Sequence, residues 1–163
     1  MQYGLHQGFL ILLNLLTTVV CGILWKELPF VLLVFWGIFF LRPYAGGYHA
    51  DTELRCYFLS TAMMNMVVFL KKTIVLSNIM FIIIWIITVI FIWIYAPVEN
   101  TIHCLDEDAR KKYANNTKKI LLCNGIVMLV GIWVNQRIVV DAIIWSQVMI
   151  AIAMIAGLWK YST

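Results

Sequence analysis

Long apolar stretches, each closed by a short polar marker, alternate along this chain and predict a set of helices. Residues 9 to 25 carry no charge and end at Lys26-Glu27, and residues 28 to 41 follow from a proline near their start. A third stretch, 57 to 70, closes at Lys71-Lys72, and a fourth, 74 to 96, stops before Pro97. A polar loop is expected over 97 to 119, then two more stretches, 120 to 134 and 138 to 159. A helix rises about 1.5 Å per residue, so 57 to 70 would reach only about 21 Å against a hydrocarbon core of about 30 Å. Polar residues must therefore join that helix. With Asp51 as its N-cap and Glu53 in its first turn, where the helix dipole favours an acid, it would run 52 to 70.

Composition turns these stretches into membrane spans. Hydrophobic residues make up 63% of the chain and charged ones 12%, against roughly 45 to 50% and about 25% in soluble domains. The expected fold is an all-α integral membrane protein, a single transmembrane domain of about six helices over 1 to 163. Its spans would be 9–25, 28–41, 52–70, 74–96, 120–134 and 138–159, with a polar loop and helix start between the second and third. With the N-terminus inside, inner segments hold eight Lys and Arg and outer ones four, which puts both termini and that polar loop on the cytoplasmic side. The net charge of +4 is spread over loops, with no basic arm interleaved with aromatics, so no nucleic-acid partner is expected. The N-terminus lacks the charged start and small-residue cleavage site of a removable signal peptide.

Candidate chemistry is concentrated in one place. The fifteen residues from Arg42 to Cys56 (RPYAGGYHADTELRC) hold four of the chain's twenty charged residues, together with a His and a Cys seven positions apart. Ionisable groups beside hydrocarbon are expensive and need a partner or a task. Thiolates, the reactive form of cysteine, are favoured at helix starts and beside cations or histidine. Cys56 follows Arg55 in the opening turns of the expected helix, and His49 precedes it. On one straight helix the two would lie about 10 Å apart along the axis, too far for the contact of about 3 Å that a general base needs. Pro43 and Gly46-Gly47 punctuate a non-helical loop that could fold His49 back, with a break near Ala50 and Asp51. Taken alone, these residues leave two readings open: a nucleophile with its base, or a packing cysteine and an interfacial histidine.

The run Arg42, Gly46-Gly47, His49-Ala50 and Cys56, set between apolar spans, resembles the accessory gene regulator B family. These are integral-membrane cysteine endopeptidases of Gram-positive bacteria that process peptide pheromone precursors. The resemblance implies Cys56 as nucleophile and His49 as general base, and marks Arg42 and Gly47 as positions that matter. It also implies a precursor peptide as partner, with an amphipathic segment lying on the bilayer, a location in the cell membrane, and room for a homodimer. Such a site would cut through a thioester on Cys56 and promote thiolactone closure for quorum sensing. Oxyanion or substrate contacts could come from Arg42, Gly46, Gly47 or Arg55, and Asp51 or Glu53 could orient His49.

Other features are weighed beside this one. His103-Cys104 is a second His/Cys pair, without glycine or capping signals around it. His49, Cys56, His103 and Cys104 lack the local spacing of a zinc site, so neither metal nor cofactor is expected. Asp106, Glu107 and Asp108 each precede a base by four residues, the favourable order on a solvated helix. Asn14, Asn65, Asn124 and Gln147 are expected to hydrogen-bond between helices, and Arg137 to pair with Asp141. The rival from another class is a non-enzymatic exporter or carrier of a peptide or small ligand, with the polar island as a re-entrant gate. The chain lacks the paired broken spans in two related halves that such carriers use.

Overall fold

A computed structural model describes residues 2–48, 52–74, 77–99 and 106–161. They form six helices and, among the described residues, no strand: α1 Gln2–Leu24, α2 Leu28–Ala45, α3 Glu53–Thr73, α4 Asn78–Tyr95, α5 Glu107–Trp133 and α6 Arg137–Tyr161. Consecutive helices run in opposite directions. Phe30 at the start of α2 packs with Val67 and Val68 near the end of α3 and with Ala142 near the start of α6. Leu41 near the end of α2 meets Ile92, Leu121 and Met154. The first group marks the far end of the bundle and the second the near end, where α2 hands over to α3.

Several bounds depart from the sequence expectation, each for a local reason. Instead of stopping before Pro43, α2 continues through it to Ala45. Leu41 and Ala45 are fully buried on either side of the proline, so packing holds a turn that proline disfavours. The helix gives out at Gly46, whose N–H still donates to Arg42 O. The loop predicted over 97 to 119 is helical from Glu107 onward. Glu107 and Asp108 occupy the first turn of a 27-residue helix that contains the predicted span 120–134 as its second half. Acid-first pairing at i,i+4 supports such an extension in water. The fourth helix starts at Asn78 rather than 74, where Ser77 caps it by accepting from Met80 N.

The centre of the bundle is α6, packed against α2, α4 and α5. Its buried residues include Ala142, Ser146, Ala151, Ala153 and Gly157, and small residues let helix axes approach where hydrocarbon outside offers no hydrophobic drive for association. The closest approach is to Gly37 of α2, where an added Cβ would stand 2.6 Å from Ser146 Oγ. Gln147 is fully buried with neither amide atom hydrogen-bonded, so it is not the interhelical link expected of it. Outward faces are apolar, with Leu12, Leu16 and Val20 on α1, Ile83, Ile87 and Ile90 on α4, and Ile126, Leu129 and Val130 on α5 all exposed. An apolar perimeter of that extent exceeds what soluble monomers present to water. Among the described residues two helices, α2 and α6, are long and apolar enough to cross a membrane.

Polar contacts fasten α3 to the α1–α2 hairpin. At the far end Lys71 Nζ pairs with Glu27 Oε2 at 2.5 Å and stands 4.3 Å from the centre of the Phe30 ring. Lys72 Nζ donates to Trp25 O at 2.5 Å. In mid-helix Asn65 accepts from Trp25 Nε1 at 2.9 Å and donates to Thr61 O at 2.9 Å and Cys21 Sγ at 3.4 Å, as expected of bundle-linking asparagine. Towards the near end Tyr57 Oη and Thr17 Oγ1 lie 2.6 Å apart. The expected pairing of Arg137 with Asp141 is present at 3.9 Å.

Close packing at Gly37 makes a sharp expectation. Gly37→Ala should lower stability by about 1 to 3 kcal/mol, as overpacking does, and Ser146→Gly in the same chain should recover most of that loss. Thermal unfolding of the three variants in one detergent measures both.

Candidate active site

The near end gathers the segments that the sequence marks for chemistry. After α2 the backbone turns through Gly46 at φ 74° and Gly47 at φ 128°, a left-handed region that side chains rarely tolerate. Gly46 forms an isolated parallel bridge with Val98, and Val98 N donates to Ala45 O at 3.0 Å. An added Cβ on Gly46 would lie 2.2 Å from Val98 O, so the glycine is required by space as well as by φ.

The next residues rest on α6. Tyr48 N donates to Ala153 O at 2.8 Å, and Arg42 Nη2 donates to Tyr48 O at 3.1 Å. Both backbone polar groups of Tyr48 are therefore held, one by a neighbouring helix and one by the guanidinium a turn back along α2. Arg42, a candidate for oxyanion or substrate contact, thus acts in this structure as a brace of the turn. A cavity of about 470 Å³ opens beside it, lined by Tyr48, Ala156, Trp159 and Lys160, and Lys160 Nζ stands 5.0 Å from the centre of the Tyr48 ring.

On the other side of the connection, α3 begins at Glu53. Thr52, in extended conformation, caps it by accepting from Arg55 N at 3.4 Å through its hydroxyl. That is the role predicted for Asp51, one residue earlier. Cys56 N donates to Thr52 O at 3.0 Å, closing the first turn. Cys56 is a half-buried free thiol, while Glu53 and Arg55 in the same turn are exposed. The side chains that could be nucleophile, cation and acid are thus grouped in one turn at the near end, within a few residues of the clamped Gly46–Tyr48 segment. His49, Ala50 and Asp51 lie outside the described residues, as do His103 and Cys104, so the proposed base and one of its proposed orienting acids have no described geometry. Among the described residues no three His, Cys, Asp or Glu side chains cluster as metal ligands.

Two contributors went unnoticed in the sequence. Val98 pairs with Gly46, and Gly157 lies against the turn, where an added Cβ would stand 2.8 Å from Gly47 C and Tyr48 N. A glycine four residues from the end of a 25-residue apolar helix carries no local signal of a contact with a segment about a hundred residues earlier.

A helical bundle with an apolar perimeter, bearing a capped helix start with a free thiol beside a glycine turn, is a membrane-associated thiol-bearing protein. The family model of accessory gene regulator B matches residues 1–155, and the chain belongs to that family. Membership connects it with the membrane-associated processing of peptide pheromones. No curated protein and no solved structure matches the chain.

The near-end contacts are separable by mutation. Gly46→Ala should cost at least about 2 kcal/mol, since a left-handed non-glycine residue alone costs roughly 1 to 2 kcal/mol and the Val98 carbonyl cannot rotate away. Thr52→Ala removes a single exposed cap and should cost about 1 kcal/mol or less. Thermal unfolding curves of the two variants should rank in that order.

Proposed function

We propose that this protein is a membrane-embedded cysteine endopeptidase that removes the C-terminal segment of a small pheromone precursor, with Cys56 as nucleophile and His49 as general base. The observation that carries the reading is the placement of the free Cys56 thiol in the first, capped turn of α3, at the end of the bundle where the Gly46–Tyr48 turn runs into His49. Family membership supports the same chemistry.

In the reaction, His49 takes the thiol proton and Cys56 Sγ attacks the scissile carbonyl. The C–N bond breaks, the departing amine takes the proton from His49, and the rest of the peptide stays on Cys56 as a thioester. A cysteine within the bound peptide then gives its thiol proton to His49, attacks that thioester and expels Cys56 as thiolate, closing a thiolactone. One thioester is exchanged for another, so ring closure needs no nucleotide, provided water is kept out. Oxyanion donors would come from the Gly46–Gly47 turn, the first turn of α3 or the Arg42 and Arg55 guanidiniums, with Asp51 or Glu53 orienting His49.

The housing for this chemistry is a six-span bundle over 1 to 163 with both termini and the near end facing the cytoplasm. Alternating helix directions, the apolar outer faces and the bias of Lys and Arg towards near-end segments support it. Cys56 then lies at the membrane interface, the plane in which a precursor with an amphipathic helix would itself lie. A homodimer is compatible with this arrangement, and no cofactor is required by it.

Four measurements test the proposal. Cys56→Ala should abolish precursor cleavage while leaving helicity and elution unchanged, and a folded Cys56→Ala protein that still cuts sinks the assignment. His49→Ala should slow cleavage by about 10² to 10⁴, the usual worth of a general base. Mass spectrometry of the protein mixed with precursor should find the peptide attached at Cys56. For topology, a membrane-impermeant maleimide should label Cys56 in inside-out vesicles and spare it in right-side-out ones.

A further inference from the structure

We infer that the near-end turns of α6, through the Ala153 carbonyl and the absent side chain of Gly157, are the positioning element for the base of this site. The inference rests on the Cys56–His49 reading above.

Tyr48 is the residue immediately before His49, and its backbone is held from two sides. Its N–H is bound to Ala153 O at 2.8 Å and its C=O to Arg42 Nη2 at 3.1 Å. With both groups fixed, the direction in which the chain leaves Tyr48 is set by α6 together with the Arg42 brace. The contact is close. A Cβ on Gly157 would meet Gly47 C and Tyr48 N at 2.8 Å and Gly47 Cα at 3.1 Å. In the reverse direction, a Cβ on Gly47 would meet Ala153 C and O at 3.1 Å. All of these atoms are backbone, so no rotamer change can relieve the overlap. Either the turn lifts off α6 or the hydrogen bond to Ala153 stretches.

A displacement of that kind falls on the residue whose reach to the thiol decides catalysis. Misplacing a catalytic group by about 1 Å can lower a rate roughly 10²-fold. Gly157 lies two positions beyond the matched family region, which ends at 155. It touches neither the thiol helix nor the α2 brace in any described contact, so its effect on Cys56 would have to pass through the Gly47–Tyr48 turn. That makes it a positioning residue.

The test reads the thiol itself and needs no precursor. Purified protein in detergent is treated with iodoacetamide at pH 7, and the rate of modification at Cys56 is followed by peptide mass spectrometry. His49→Ala should slow alkylation about tenfold, since the thiolate is the reacting form. Gly157→Ala and Gly47→Ala should each slow it several-fold and Gly157→Val nearly as much as His49→Ala. Gly157→Val combined with His49→Ala should be no slower than His49→Ala alone, a non-additivity that a general loss of packing would not produce. Gly8→Ala, whose added Cβ meets nothing within 4 Å, should match the unmodified protein. Helicity and elution identify folded variants, and should Gly157→Val not fold, the two alanine variants carry the test. If both alanine variants fold and react at the unmodified rate while His49→Ala is slow, the positioning role is wrong and the dyad stands. If His49→Ala reacts at the unmodified rate, the dyad reading fails and this inference falls with it.

Discussion

Backbone that leaves a helix inside a packed bundle must find hydrogen-bond partners elsewhere in the protein, because buried N–H and C=O groups left unpaired are costly. The Gly46–Tyr48 turn is where this chain meets that demand. Gly46 N binds Arg42 O, Ala45 O receives Val98 N, Tyr48 N binds Ala153 O, and Tyr48 O receives the Arg42 guanidinium. These four bonds draw on three places: the end of α2, which supplies both Arg42 contacts, the segment after α4, and the near half of α6. The glycines follow from the same demand. Gly46 and Gly47 adopt the φ values the turn needs, and Gly157 leaves room for the turn to reach the α6 carbonyl.

Cys56 is mounted differently. Its helix is tied to the α1–α2 hairpin by the Glu27–Lys71 pair, the Asn65 node and the Thr17–Tyr57 contact, and only its far half enters the buried core through Met64, Val67 and Val68. Leu54 and Phe58 in the near half face outward. The turn leading to His49 is therefore referred to α6, while the thiol is referred to α1 and the far half of α3. The Gly46–Tyr48 turn and the Cys56 thiol thus have different attachments within the bundle.

Helix existence was legible because apolar runs closed by Lys-Lys, Lys-Glu or proline leave little else for the chain to do beside lipid. Boundaries were less legible where packing outweighed local preference. Pro43 reads as a helix stop, yet Leu41 and Ala45 are buried so completely that the turn around it stays helical. The acidic start of α5 read correctly as a solvated helix, but nothing local said that it joins the following span without a break. At the site, the polar density from Arg42 to Cys56 was visible, and the chain leaves the helix at Gly46–Gly47 as the glycine pair suggests, while the break expected near Ala50 and Asp51 falls outside the described residues. Thr52 took the capping position predicted for Asp51, a shift of one residue that short polar side chains make interchangeable. Gly157 and Val98 could not be found by pattern, since their importance lies in what approaches them from far along the chain.

The bond between Tyr48 and Ala153 spans about a hundred residues, and it orders events in time as well as in space. During synthesis α2 and α3 are made long before the near half of α6 exists, so the turn between them at first lacks its final acceptor. Contacts of such long sequence separation form late and slowly. In a nascent chain the Gly46–Tyr48 turn therefore takes its last hold only when the sixth helix has been made and has seated against it.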